Sequence, residues 1–94
     1  CLPLLSSGQV VAVTTDNVIL AGLAANSGGE FEVVGNPFTA EPYGIGLALE
    51  DTEFRNWIND VLEAAYADGR WAAAWQATAG TVLPLPDPPA VNRY

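Results

Sequence analysis

The stretch Val10-Val11-Ala12-Val13-Thr14-Thr15-Asp16-Asn17-Val18-Ile19-Leu20 decides the predicted fold of this chain. Its first half is a short apolar run rich in β-branched side chains, which is typical of a strand covered on both faces in a parallel sheet. Asp16 or Asn17 can cap a helix that begins directly after the two threonines. A buried strand that leads through a short connection into a helix indicates an α/β fold.

We predict helices on both sides of this strand. Residues 1–7 are interpreted as the last turns of a helix, and Gly8 suits the left-handed position that commonly ends one. The second helix carries the apolar residues of 18–24 and ends at the turn Asn26-Ser27-Gly28-Gly29. Helix, strand and helix together form an αβα unit.

Two further strands are predicted. The first covers residues 31–34, with glutamates on its other face, and Gly35-Asn36-Pro37 closes it as a turn. The second runs from Tyr43 to Leu49, where Gly44 and Gly46 permit bending or close approach of the backbone. This strand is consistent either with a chain that crosses between two lobes or with a bulged edge strand.

The longest predicted helix begins after Asp51 or Thr52, either of which can cap it, and ends at Asp68-Gly69. Its apolar residues recur at i, i+3, i+4, i+7, i+8 and i+11, which gives one stripe at the helical period. These residues are Phe54, Trp57, Ile58, Val61, Leu62 and Ala65. Because such a stripe is stable only when it is covered, we expect it to pack on another surface.

A second helix follows, with Trp71 and Trp75 one turn apart and Gly80 as its predicted terminator. We expect the tryptophans of both helices to lie in the core, with ligand stacking as the alternative. The segment Leu83-Pro84-Leu85-Pro86-Asp87-Pro88-Pro89 cannot be helical. We interpret it as a stiff strap along the fold, and the alternative is a docking peptide for a proline-reading domain.

The composition excludes several classes of function. The net charge is −8, and the chain has three arginines but no lysine or histidine. Such a chain repels phosphate backbones and anionic membrane surfaces, so we expect no nucleic-acid partner. The absence of histidine removes the usual general base and the commonest metal ligand, and a single cysteine excludes a zinc-binding cysteine cluster, so no metal or cofactor is expected.

Carboxylate pairs are the one catalytic arrangement that this composition permits. The candidates are Glu50-Asp51 with Glu53, and Asp60 with Glu63. All of them fall on or beside the polar face of the longest helix, where charged side chains are usually solvated. We therefore expect that the chain is not an enzyme.

Three interpretations of Cys1 stay open. It is a free thiol, the disulfide partner of a cysteine outside this sequence, or the lipid-bearing first residue of a bacterial lipoprotein. No apolar run approaches the roughly 20 residues that span a bilayer, and no basic-then-apolar export signal is present.

Thr14, Thr15 and Asp16 lie where the first predicted strand ends and its helix begins. In open α/β folds, ligands bind at the carboxyl ends of strands, and a helix N-terminus favours anionic groups. A carboxylate beside hydroxyls and amide donors matches a zwitterion, with Asp16 on the ammonium group and Thr15 on polar oxygens. The alternative is that Asp16 only caps the helix.

The order of these features resembles the amino-acid family of extracellular solute-binding proteins that feed ABC importers, in particular glutamine, glutamate and aspartate binders. Gln9–Asp16 is similar to the family's strand that ends in the acid for the ligand's ammonium group. Glu41–Leu47 resembles the segment that leads into the second hinge crossing, and Phe54–Trp75 resembles the two closing helices of the first lobe. Val11 departs from the family, which usually has an aspartate there, and known members are more than twice as long.

The resemblance implies part of a two-lobed, type II periplasmic-binding-protein fold, namely the later half of the second lobe plus the closing helices of the first. Residues 1–47 would form the second-lobe αβα segment and hinge strand, residues 48–80 the closing helices, and residues 81–94 a Pro-rich tail. Asp16 carries over as the acid for the ammonium group, and Thr15 as a residue that helps to read the ligand side chain. The chain would be a fragment without the arginine that binds the ligand carboxylate.

The function implied by the resemblance is that of the substrate-binding component of an ABC transporter for glutamine, glutamate or aspartate. The implied partners are this amino acid and the ABC permease, with membrane contact only through a lipid anchor or the permease. The implied location is extracellular or at the cell surface, in an exported bacterial lipoprotein. The alternatives are an amino-acid sensor domain of a receptor or kinase, and a structural module that binds nothing small. By itself, the chain is expected to self-associate or to bind a complementary fragment.

Overall fold

The computed structural model describes residues 1–94 and contains four α-helices joined by turns and extended segments. The helices are α1 (Leu2–Ser6), α2 (Asn17–Ala25), α3 (Thr52–Ala67) and α4 (Arg70–Ala77), and a 3₁₀ turn at Ala79–Thr81 follows α4. The chain divides into two compact units, Cys1–Glu41 and Pro42–Tyr94. None of the helices has both the length and the apolar character that a membrane span requires.

In the first unit, α1 ends as the sequence predicts. Gly8 takes a left-handed conformation with a φ of 76°. The amide of Gly8 donates to the carbonyl of Leu5 at 3.1 Å, and the amide of Gln9 donates to the carbonyl of Leu4 at 2.9 Å. These two bonds form the Schellman pattern, in which a glycine closes a helix and satisfies its last carbonyls.

The helix α2 also forms at its predicted place. It begins at Asn17, directly after Asp16, and its last residue is Ala25. The amide of Asn26 donates to the carbonyl of Gly22 at 3.1 Å. The Ser27 hydroxyl donates to the carbonyl of Ala24 at 2.8 Å, so the predicted turn at residues 26–29 does end the helix.

The three predicted strands are not formed, so the predicted α/β architecture is not realised within these 94 residues. Residues 10–14, 31–34 and 43–49 are extended or irregular and make no strand ladder. The physical reason is that a helix satisfies its own backbone, whereas a strand needs the donors and acceptors of a neighbouring strand. Val11, the second residue of the strand predicted to be covered on both faces, is 99% exposed. The apolar strand pattern is present, but the chain supplies no sheet to cover it.

In the second unit, α3 has the predicted start and stop. Asp51 is its N-cap, because the amide of Phe54 donates to Oδ1 of Asp51 at 3.0 Å. The amide of Asp68 donates to the carbonyl of Ala64 at 2.9 Å at the other end. Gly69 then turns the chain with a left-handed φ of 86° and leads directly into α4.

Aromatic rings line the contact between α3 and α4. Tyr66 of α3 and Trp71 of α4 meet edge to face, with 5.7 Å between ring centroids and 86° between ring planes. Trp71 and Trp75 stack along α4 at 5.8 Å. All three side chains are partly buried, so Trp71 and Trp75 pack against neighbouring residues but do not lie in a closed core.

The end of α4 differs from the prediction. The helix stops at Ala77, before the predicted terminator Gly80. The hydroxyl of Thr78 donates to the carbonyl of Ala74 at 2.7 Å and satisfies part of the helix end. Gly80 lies in the 3₁₀ turn, where a Cβ atom would come within 3.0 Å of the carbonyl oxygen of Trp75. A larger residue at position 80 would therefore require a small shift of the backbone, and Gly80 does not end the helix.

No residue of the chain is fully buried. The accessible surface is 7337 Å², whereas a folded monomer of this mass exposes about 5,200 Å². On α3, an apolar face made of Phe54, Trp57 and Val61 is exposed, and the rings of Phe54 and Trp57 stack on each other at 5.8 Å. Trp57 is 59% exposed, so the core prediction is wrong for this tryptophan, because nothing in its own unit covers this side of α3.

Candidate ligand-binding site

Asp16 occupies the N-cap position of α2. Its φ of −59° and ψ of 142° are those of extended backbone, and its carbonyl accepts a hydrogen bond from the amide of Leu20 at 2.9 Å. The residue is half-buried. The first turn of α2 thus fixes the backbone of Asp16 at the positive end of the helix dipole.

The side chain of Asp16 does not cap α2. No capping hydrogen bond joins its carboxylate to the first turn of the helix. Asp51 stands at the equivalent position of α3, and its carboxylate does accept the amide of Phe54 at 3.0 Å. Both acids occupy an N-cap position, but only the side chain of Asp51 makes a capping hydrogen bond. The capping interpretation therefore fits Asp51 and not Asp16.

Thr15 directly precedes Asp16 and is exposed. The two residues predicted to bind ligand therefore lie side by side at the start of α2. The first amide groups of an α-helix have no acceptors within the helix, and they favour anionic or polar oxygens. A carboxylate, a hydroxyl and a helix N-terminus in one place can bind the ammonium group and a polar oxygen of a small zwitterion.

Three of the five carboxylates considered for acid-base chemistry make structural contacts. Asp51 caps α3. Glu63 accepts two hydrogen bonds from Arg93, at 3.0 Å from Nε and 2.9 Å from Nη2, and these bonds lower the pKa of Glu63. Asp60 accepts a third hydrogen bond from Nη2 of Arg93 at 2.6 Å. Within residues 1–94, no group of three or more His, Cys, Asp or Glu side chains could hold a metal ion.

Each of the three arginines contacts a group of its own chain. Arg93 binds the two acids of α3, and Nε of Arg70 lies 2.8 Å from Oδ2 of Asp68. The backbone amide of Arg70 also donates to Asp68 at 3.0 Å, and these bonds hold the pKa of Asp68 below its ordinary value. The guanidinium of Arg55 lies 4.6 Å from the ring centroid of Tyr94. A ligand carboxylate would thus have to displace one of these contacts or find its cation elsewhere.

Sequence reasoning missed the contacts of Arg93 and Tyr94. A signal was present, because Asp60 and Glu63 lie three residues apart and therefore side by side on a helix. Arg93 is the only cation after Arg70 in a chain with a net charge of −8. The pairing of Arg93 with these two acids could not be deduced from the sequence, because the number of residues between them does not fix the path of the tail.

The chain is similar to amino-acid-binding proteins of bacteria. It is 51% identical to a glutamate-binding protein of Corynebacterium efficiens over 74 residues, which cover 73% of this chain and 25% of that protein. It is 42% identical to the ABC transporter glutamine-binding protein of Bacillus subtilis over 67 residues, which cover 71% of this chain and 24% of that protein. It is 34% identical over 76 residues to a glutamate/aspartate import solute-binding protein of Salmonella typhimurium.

The matched region is only part of each relative, and the chain spans about a quarter of their length. No family model matches the chain, and no solved structure matches it at a significant level. Identity of 42 to 51% over nearly three quarters of the chain is nevertheless well above chance. Over its matched residues, this chain is a homologue of the glutamate- and glutamine-binding solute-binding proteins of ABC importers.

Proposed function

We propose that this chain is part of the substrate-binding component of an ABC transporter for a polar or acidic amino acid, that is, glutamine, glutamate or aspartate. The observation that carries the proposal is the position of Asp16. Its carboxylate stands at the start of α2 without capping that helix, in a chain homologous to proteins named for glutamate and glutamine binding.

The binding chemistry follows from this position. Asp16 pairs with the ligand's ammonium group, because a carboxylate and an ammonium ion form a charge-assisted hydrogen bond. Thr15, the exposed neighbour, donates to or accepts from polar atoms of the ligand side chain. The ligand is held when two lobes close around it, and closure removes water and strengthens the ion pair.

The ligand carboxylate is bound by a part of the protein outside this chain. All three arginines here contact a carboxylate or an aromatic ring of their own chain, and there is no lysine or histidine. A binding site for a complete zwitterion needs a cation as well as Asp16. The choice among glutamine, glutamate and aspartate therefore depends on residues that this chain does not contain.

The intact protein has a two-lobed, type II fold in which the segments 10–14, 31–34 and 43–49 pair as strands. Residues 1–47 belong to the second lobe and its hinge, residues 48–80 are the closing helices of the first lobe, and residues 81–94 are the tail. Two features support this proposal, namely the strand-like sequence of Val10–Thr14 and the 99% exposure of Val11 within it. A sheet would cover these side chains.

The partner of the exposed apolar face of α3 is a complementary fragment that carries the rest of the first lobe. Phe54, Trp57 and Val61 are 47%, 59% and 38% exposed, and apolar patches of this kind commonly mark interfaces. The length of the relatives supports this partner, since the chain spans about a quarter of them. Self-association of the isolated chain through the same face is the competing outcome.

The other partners follow from the same role. The protein is exported, works at the cell surface or outside the cell, and delivers its amino acid to an ABC permease. It is not an enzyme, because Asp51, Asp60 and Glu63 are engaged as a helix cap and as partners of Arg93. A lipid on Cys1 is compatible with the exposure of this residue, which forms no disulfide within the chain.

The test is titration of a complete binding protein that contains this segment with glutamine, glutamate and aspartate, using calorimetry. Asp16→Ala should weaken binding by at least about 30-fold, because loss of a desolvated partner of a charge costs about 2 to 5 kcal/mol. Asp51→Ala is the matched control, since it removes an acid from another helix start, and it should leave the affinity nearly unchanged. An Asp16→Ala protein that binds within about threefold of the parent would refute the assignment of Asp16.

A further inference from the structure

The C-terminal tail is attached to α3 by its last two residues. Arg93 donates to both oxygens of Glu63, at 3.0 and 2.9 Å, and to Asp60 at 2.6 Å. Tyr94 places its ring over the guanidinium of Arg55, with 4.6 Å from Cζ to the ring centroid. Adjacent residues thus contact α3 through two different interactions, an ion pair and a cation-π contact.

We propose that Arg93 and Tyr94 form a releasable clasp that fastens the tail, residues 83–94, along one flank of α3. When the clasp opens, the tail is freed and α3 and α4 stay folded. The proposal concerns a device within the fold and is independent of which amino acid the protein binds.

The geometry sets the direction of the tail. Arg93 contacts acids in the second half of α3, and Tyr94 contacts Arg55 near the start of the helix, so the tail runs antiparallel to α3. The helix has 16 residues and is about 24 Å long. An extended proline-rich segment covers about 3.1 Å per residue, so residues 84–92 are long enough to run back along most of α3.

The tail is suited to repeated release and return. Four of its residues are prolines, at positions 84, 86, 88 and 89, so the segment is already extended and loses little conformational freedom when it is fastened. Only Leu83 and Val91 of residues 83–94 are partly buried. Few apolar contacts therefore hold the tail, and the two terminal side chains decide whether it stays attached.

The clasp and the apolar face occupy different sides of α3. At 100° per residue, Glu63 lies on the side of α3 opposite the apolar face formed by Phe54, Trp57 and Val61, and Asp60 lies between the two, next to Trp57. The charges of Asp60 and Glu63 would repel each other on a bare helix, and Arg93 offsets this repulsion by pairing with both. Arg93 and Tyr94 therefore hold the tail to a side of α3 that leaves the apolar face open, while Asp60 and Glu63 stay 69% and 51% exposed.

The proposal is tested on the full 94-residue chain by ¹⁵N heteronuclear NOE measurements of the amides of Val91 and Asn92, with circular dichroism in parallel. In the parent, both amides should be as ordered as those of α4. Arg93→Ala should lower their NOE values to those of a mobile segment while the helix content is unchanged. Arg70→Ala is the matched control, because it removes an arginine whose ion pair with Asp68 is local, and it should leave the tail ordered.

Each other outcome is informative. Arg93→Lys keeps the charge without the two-pronged geometry, and it should give an intermediate NOE. Asp60→Asn combined with Glu63→Gln should release the tail like Arg93→Ala. The proposal is wrong if the parent tail is already mobile, if Arg93→Ala leaves it ordered, or if Arg93→Ala also unfolds α3.

Discussion

Arg93 and Glu63 face each other as a planar guanidinium and a planar carboxylate, with Nε 3.0 Å from Oε1 and Nη2 2.9 Å from Oε2. This two-pronged pairing is the strongest geometry available to the two groups. Both side chains are nevertheless substantially exposed, at 40% for Arg93 and 51% for Glu63, so water and salt weaken their attraction. The pair therefore fixes the position of the tail more than it stabilises the fold.

The attachment of the tail should depend on pH. The hydrogen bonds from Arg93 hold the pKa of Glu63 below its ordinary value of 4.5, and the nearby charge of Asp60 opposes this shift. A lowered carboxyl pKa stabilises the folded form above the ordinary value, and this contribution disappears as the pH falls through the lowered pKa. NOE values of Val91 and Asn92 should therefore be constant above pH 5 and fall in acid. Glu63→Gln should remove most of this dependence, and an unchanged acid profile in that variant would contradict the explanation.

The two acids at helix starts should respond differently to substitution. Asp51→Ala should reduce the free energy of unfolding by about 1 kcal/mol, because the amide of Phe54 loses its acceptor. Asp16→Ala should leave the first turn of α2 as well ordered as in the parent, because the Asp16 side chain makes no capping hydrogen bond there. Urea unfolding monitored by circular dichroism measures the loss in Asp51→Ala, and amide hydrogen exchange in the first turn of α2 tests Asp16→Ala. Faster exchange there would mean that Asp16 caps α2 in solution.

Two glycines should give opposite results when replaced by alanine. At Gly80, a Cβ atom would lie 3.0 Å from the Trp75 carbonyl oxygen, so the variant should be destabilised by about 1 to 3 kcal/mol. At Gly22, inside α2, nothing lies within 4 Å, and alanine should stabilise the helix by up to about 1 kcal/mol. Thermal unfolding measures both changes. A Gly80→Ala protein as stable as the parent would show that the 3₁₀ turn can move aside.

The apolar face of α3 should govern association of the isolated chain. Trp57→Gln should shift sedimentation toward the monomer or abolish binding to a complementary fragment, because Trp57 is 59% exposed and stacks on Phe54. Leu85→Ser is a suitable control, since Leu85 is also exposed, at 45%, but lies in the tail. Association that both variants retain would place the interface elsewhere.

The helices could be predicted from the sequence because their signals are local. Gly8, Asp51 and Gly69 lie within a few residues of the helix ends that they define, and each has its predicted role. The strand at Val10–Thr14 is predicted from the sequence but does not form in the structure. A strand needs hydrogen-bond partners that are distant in the sequence, so a local pattern cannot show whether they are present. The ion pair between Arg93 and Glu63 could not be predicted for a related reason, since the two residues are 30 positions apart in the sequence.

The candidate site was predicted only in part. The sequence identifies Thr15 and Asp16 as neighbours at a helix start, and the structure has them there. An aspartate at the N-cap position of a helix suits both capping and ligand binding. A single sequence therefore cannot distinguish between these two roles. The side-chain contacts distinguish the two acids, because the carboxylate of Asp51 caps its helix and that of Asp16 does not.

The exposure of Val11, at 99% within the strand-like segment Val10–Thr14, has a consequence for anyone who produces this chain alone. Short segments of β-branched residues without charge, when left uncovered, act as templates for cross-β stacking. The isolated chain is therefore expected to associate through this segment as its concentration rises, and co-expression with the remainder of a solute-binding protein should suppress this association.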